Sequence, residues 1–301
     1  AAVEDDLLHL LSSWFNPGFL EMRRVDWNAP ARLLEQIIRH EAVHEIDGWD
    51  DLRRRLLPDR RCFAFFHPQL PDEPLIFVEV ALLPEMPVAI APLIDKSVTA
   101  PLEPAHFKVA AFYSISNCEP GLRGVSLGNF LIKRVAVELQ RELPQLRTFC
   151  TLSPMPGFAA WLAKPPAFAA LPGAAGAVAE RAAQAHAALA AACDGNFSRL
   201  HAAAALRALP PAAAQALTRL AAVYLVHATR TPQGDPVARF HLDNGARLER
   251  LNPLADLSRR GLRQSCAMMV NYLYDLDRVE ARHEGFTRGR IATASVVASL
   301  P

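Results

Sequence analysis

FYSISNCEPGLRGVSLGNFLIKRV (residues 112–135) opens on alternating side chains, crosses a turn bearing three glycines and closes on a helical repeat. Tyr113 and Ile115 alternate with Ser114 and Ser116, the pattern of a strand with two different faces. Phe130, Leu131, Val135 and Leu139 recur at helical spacing and predict a helix over 127–143. The turn Gly121–Gly128 therefore joins a strand to a helix. The first amides of a helix lack partners within it, and the helix dipole adds positive potential at the same end, so such a turn suits an anion. Gly124 and Gly128 permit close backbone approach, and Arg123 brings a charge. A pyrophosphate is the natural ligand. The pattern is neither a Walker A loop nor GxGxxG, and the same spacing also describes an ordinary glycine-rich turn.

Working outward, 62–67, 75–83, 107–118 and 147–152 read as strands, with a turn over Pro68–Pro74. Residues 4–57 read as helices, with Pro30 at the first turn of one of them. The alanine-rich stretch 159–227 predicts a helical insertion with breaks near Pro172-Gly173, Asp194-Gly195 and Pro210-Pro211. Residues 237–252 pattern as strands about a hairpin turn at Asp243–Gly245, and 258–274 as a helix. The expected class is α+β: a mixed sheet flanked by helices. A helical lead-in over 1–57 precedes a domain over 58–301 that carries the insertion.

Composition narrows the function classes. Thirty-two Lys and Arg against 31 Asp and Glu leave a net charge of +1, without the basic bias of nucleic-acid binders. The five cysteines are widely spaced and form no CxxC pair, so reduced thiols in a cytoplasmic setting are expected rather than a disulfide framework or zinc ribbon. No stretch reads as a membrane span. The acidic start, Ala-Ala-Val-Glu-Asp-Asp, does not read as a signal peptide, and the absence of an initiator Met suggests that residues precede it. His40-Glu-Ala-Val-His44 matches HExxH, the zinc-hydrolase pattern, which requires both histidines on one helical face. Asp47-Gly48 signals a helix end close by, and no third ligand stands at a matching spacing. No metal is expected. Arg53–Arg55 and Arg60-Arg61 read as a solvated basic face, and Cys118 as a strand residue rather than a nucleophile.

Four segments in this order carry a resemblance: 112–135, LSPMPGF (152–158), RFHLDNGARLERLN (239–252) and ADLSRRGLRQSCAMMVNYLY (255–274). Together they are similar to the malonyl-CoA decarboxylase family, with 41–68 resembling the segment that leads into its catalytic domain. The likeness runs from about residue 8 to 275, and the alanine-rich insertion matches poorly. It implies a GNAT-like catalytic domain that converts malonyl-CoA to acetyl-CoA and carbon dioxide with no cofactor, coenzyme A being part of the substrate. It places the coenzyme A pyrophosphate loop on Arg123, Gly124, Val125, Ser126, Leu127, Gly128 and Asn129. The catalytic residues fall on Ser153, His241 and Tyr274. Two positions depart from the pattern: Ser126 stands where animal members carry glutamate, and Pro253 where the family usually has Trp. The helical domain that precedes the catalytic domain is mostly absent, which leaves the expected homo-oligomer open. An acyltransferase and a non-catalytic acyl-CoA binder share the loop and are the rival readings.

The chemistry suits these residue types. Loss of carbon dioxide from a malonyl thioester leaves an enolate, which requires donors at its oxygen and a proton for its carbon. One preorganised donor is worth about 3–4 kcal/mol in comparable sites. His241 suits either task from an intrinsic pKa of about 6.5. Ser153 suits orientation of the carboxylate or thioester oxygen, and Tyr274 suits positioning of His241 or substrate. Singly, the three read as a strand-end histidine, a helix cap and a core aromatic. Their joint order makes them a site.

Overall fold

A computed structural model describes residues 2–15, 17–122, 131–174 and 176–300. The fold is α+β, with eight strands among the described residues and flanking helices. The chain forms two compact units: 1–87 with 92–150, and 88–91 with 151–301.

In the first unit β1 (Glu21–Val25), β2 (Arg60–His67), β3 (Leu70–Leu83) and β4 (Val109–Asn117) pair antiparallel in that order. β1 interrupts the region expected to be helical. Its short segment finds ladder partners along Cys62–Phe66, contacts remote in sequence that local periodicity cannot signal. β3 also begins earlier than expected, at Leu70. Pro71 and Pro74 are accommodated because the β2–β3 register slips between Phe65 and His67, where missing amide donors break no continuous ladder. A second slip, after Glu79, leaves Tyr113 without an opposite residue, a bulge in β4. The helix Ala31–His40 buries Leu34 and Ile37 in a core with Leu52, Phe66 and Phe77. The helix Leu131–Glu142 buries Val135 and Leu139, as their spacing predicts.

The arginines expected on a solvated face are mostly inside. Arg55 is wholly buried: its Nε donates to Asp51 at 2.9 Å and its guanidinium also donates to Glu79 at 3.0 Å. Arg54 donates to buried Asp59 at 2.8 Å, and Arg61 to Glu142 at 2.6 Å. Only Arg53 of this group is exposed, over the ring of Trp27. Carboxylates draw the rest inward, some close in sequence (Asp51, Asp59) and some distant (Glu79, Glu142), since a buried guanidinium needs ionic partners.

The second unit contains β6 (Ser153–Pro154), β7 (Arg247–Asn252) and β8 (Met269–Tyr274), with β8 pairing antiparallel to both of the others. β5 (Thr148–Thr151) runs up to the boundary in sequence. The insertion is helical over Phe158–Ala163, Ala177–Ala192, Ala203–Arg207 and Pro211–Val223. Its breaks fall at the expected turn residues: Asp194 and Gly195 have positive φ (52° and 73°), and Pro211 starts the last helix.

Two expectations for this unit are corrected. Residues 236–243 form a helix, not a strand: Asp235 caps it and Pro236 fills its first position, where a missing N–H costs nothing. The Asp-Asn-Gly turn ends that helix instead of making a hairpin. Gly245 (φ 77°) donates to the Leu242 carbonyl and Ala246 to that of His241, a paired closure that requires the left-handed residue. The helix expected over 258–274 stops at Ser265, because Cys266 and Ala267 both take positive φ (49° and 59°). The remainder is β8, whose side chains are nearly all buried. Pro253, the departure from the family pattern, follows the end of β7 and is exposed.

Candidate functional site

Ser153, His241 and Tyr274 come from β6, from the last turn of the Pro236–Asp243 helix and from the end of β8. All three lie in the second unit and form one hydrogen-bonded line. Ser153 Oγ is 2.9 Å from His241 Nε2, and His241 Nδ1 is 2.9 Å from the Tyr274 hydroxyl. Residue exposures of 5, 4 and 3 % remove the line from bulk water, which strengthens each of its bonds.

Burial also decides the charge. Desolvation lowers the His241 pKa to about 3, so the imidazole is neutral across the physiological range. Of the two tasks open to this histidine, donation from the neutral ring is the one available in the free protein. Desolvation pushes the Tyr274 phenol well above its ordinary value, keeping it a hydroxyl. A neutral imidazole has one donor and one acceptor. Ser153 donates to Thr151 Oγ1 at 2.9 Å, so the consistent assignment has Nε2–H donating to Ser153 and Tyr274 donating to Nδ1.

Three neighbours that sequence reasoning missed support this line. Thr151 Oγ1 accepts from both Ser153 and the Tyr272 amide, the latter at 3.2 Å. Tyr272 stacks on the His241 ring at 4.6 Å between centroids. Asp235 caps the helix that carries His241, accepting from the amides of Val237 (2.9 Å) and Ala238 (3.0 Å). The signal for Asp235 was present in the sequence: Asp-Pro before a periodic run marks a helix start.

The pyrophosphate loop expected on Arg123, Gly124, Val125, Ser126, Leu127, Gly128 and Asn129 lies outside the described residues. Cys118 is buried with its thiol pushed up to about 12, which leaves no thiolate for nucleophilic work. The HExxH pattern does not sit on one helix: the helix ends at His40, and His44 lies beyond it. Glu41 turns instead to buried Ser114, whose hydroxyl lies 2.8 and 2.6 Å from its two oxygens, and accepts from the amides of Val43 and His44. Among the described residues no cluster of three or more His, Cys, Asp or Glu is placed to hold a metal ion.

The sequence matches the malonyl-CoA decarboxylase C-terminal domain over residues 18–300. The chain belongs to the malonyl-CoA decarboxylase family. It is 39% identical over 286 residues to the mitochondrial malonyl-CoA decarboxylase of Anser anser anser, an alignment covering 90% of this chain and 55% of that protein. The chain thus spans little more than half of that relative. Solved structures of malonyl-CoA decarboxylases from Rhodopseudomonas palustris and Agrobacterium vitis superpose with a TM-score of 0.83 each, at 50% and 48% identity. Those matches cover 99% of this chain and 70% and 71% of the other two. No described helix is long and apolar enough to cross a membrane.

The histidine's burial has a measurable consequence for this family member. An imidazole with a folded pKa near 3 and an unfolded value of about 6.5 binds fewer protons folded than unfolded between those limits. Its contribution to stability is therefore full above pH 6.5 and is lost as pH falls toward 3, on the order of 5 kcal/mol in total. Thermal midpoints taken from pH 7 to pH 4 are expected to fall more steeply for the wild type than for His241→Gln. Parallel curves would mean that the imidazole is not held neutral by the fold.

Proposed function

We propose that this chain decarboxylates malonyl-CoA to acetyl-CoA and carbon dioxide in a cytoplasmic setting. The observation that carries the reading is the buried line Tyr274–His241–Ser153, which presents a hydroxyl backed by a neutral imidazole donor. Ser153 turns its hydroxyl from Thr151 to the thioester oxygen, and His241 Nε2–H replaces the lost polarity behind it. As the bond to the carboxylate breaks, its electron pair moves into the enolate, and donors aimed at that oxygen stabilise the charge where it develops. The anionic carboxylate beside the imidazole opposes the effect of burial and raises its affinity for a proton. Binding of the anionic substrate therefore draws one proton from solvent onto the imidazole, and the imidazolium passes that proton to the enolate carbon to complete the methyl group. No metal or organic cofactor is needed, because the thioester itself delocalises the charge. Arg123–Asn129 hold the coenzyme A pyrophosphate in this reading.

The test is incubation of the purified chain with malonyl-CoA and no acceptor. Acetyl-CoA and carbon dioxide in equal amounts are expected. Binding without turnover indicates an acyl-CoA binder, and turnover that requires an added amine indicates a transferase; either result sinks the proposal.

A further inference from the structure

Asp235 touches both arms of the proposed catalytic pair without belonging to it. Its Oδ1 accepts from the amides of Val237 and Ala238, at the start of the helix that carries His241. Its Oδ2 accepts from the amide of Gly157 at 3.2 Å, four residues beyond Ser153, and receives the Tyr224 hydroxyl at 3.5 Å. A helix cap needs only one side-chain oxygen, which Ser, Thr or Asn would supply. Here a second oxygen reaches a different segment, from a carboxyl with 0% exposure. Removing a carboxylate from water is costly, and a capping role alone leaves that cost unexplained. The packing at the far end is equally constrained, because a Cβ at Gly157 would stand 2.3 Å from the Tyr224 hydroxyl oxygen. His241 lies six residues along the helix from its cap, about 9 Å along a stiff rod. A shift at the cap therefore passes directly to the imidazole.

We propose that Asp235 is a positioning residue, tying the turn after Ser153 to the helix before His241 at the separation their 2.9 Å contact requires. Its effect on turnover rests on the decarboxylase reading; its effect on the imidazole does not.

Two variants separate the bridge from the cap. Asp235→Asn keeps an oxygen for Val237 and Ala238 but turns an amide donor toward the Gly157 N–H. Asp235→Ser keeps the cap and withdraws from Gly157 altogether. Each is compared with the wild type for thermal midpoint, for kcat and KM with malonyl-CoA, and for the ¹⁵N signals of the His241 ring. A displacement of about 1 Å is expected to lower kcat by about 100-fold while KM stays within about threefold. The ring signals are expected to move from one tautomer, protonated at Nε2, toward a mixture. If the Asn variant does not fold, the Ser variant decides. A folded variant with wild-type kcat and wild-type ring signals overturns the proposal, as does a lowered midpoint with both unchanged. If the wild type itself makes no acetyl-CoA, the decarboxylase reading fails and the ring signals still decide the role of Asp235.

Discussion

His241→Ala is expected to lower malonyl-CoA turnover by about 10³-fold or more, since in the proposed reaction it removes a donor at the reacting oxygen and the group that moves the proton. The imidazole is the middle member of the buried line, so its loss removes one partner from Ser153 and one from Tyr274. Ser153 keeps its bond to Thr151, whereas the Tyr274 hydroxyl loses the partner that its 3% exposure makes necessary. Coenzyme A affinity is expected to stay close to wild type, because the proposal assigns the pyrophosphate to Arg123–Asn129 and gives His241 only the acyl end. The measurement pairs acceptor-free turnover with coenzyme A binding by calorimetry, and circular dichroism establishes that the variant is folded. Turnover near the wild-type rate would remove His241 from the mechanism. Loss of binding in step with turnover would place it in substrate recognition instead.

The largest effect on stability is expected in the first unit, at Arg55. This guanidinium has no solvent exposure and donates to Asp51, to Glu79 and to the Glu45 carbonyl. Glu79 is as deeply buried; desolvation pushes its carboxyl up, and the Arg55 guanidinium pulls it back toward the charged form. Arg55→Ala leaves that carboxyl without its cation and is expected to cost about 3–5 kcal/mol, read as a shift of the urea unfolding midpoint. Arg55→Met combined with Glu79→Leu is expected to recover part of the loss, since it removes the buried Glu79 carboxyl while Asp51 still lacks its cation. If the double variant is as unstable as the single one, packing rather than an orphaned charge is responsible.

The buried arginines show how local reading fails. Arg53, Arg54 and Arg55 are consecutive, and nothing within the triplet separates the exposed one from the two inside. Arg54 finds Asp59 only five residues on, but Arg55 reaches Glu79, 24 residues away on β3, a partner that exists only once the sheet has formed. The site residues behaved differently. Ser153, His241 and Tyr274 were named from a pattern spread across four segments, although the local structure assigned to two of them was wrong. His241 was placed beside a hairpin and lies in a helix; Tyr274 was placed in a helix and lies on β8. The family likeness carried residue identity independently of secondary structure.

By itself the amino-acid order determined the α+β class, the breaks of the alanine-rich helices at turn-forming residues, and which three polar side chains to watch. These follow from short-range steric preferences and from a motif that is linear in the chain. Only the tertiary structure decided that the three side chains meet, that the imidazole is neutral and that Asp235 bridges their supports. Charge state and hydrogen-bond partner depend on what excludes water around a group, and residues far apart in sequence supply that exclusion.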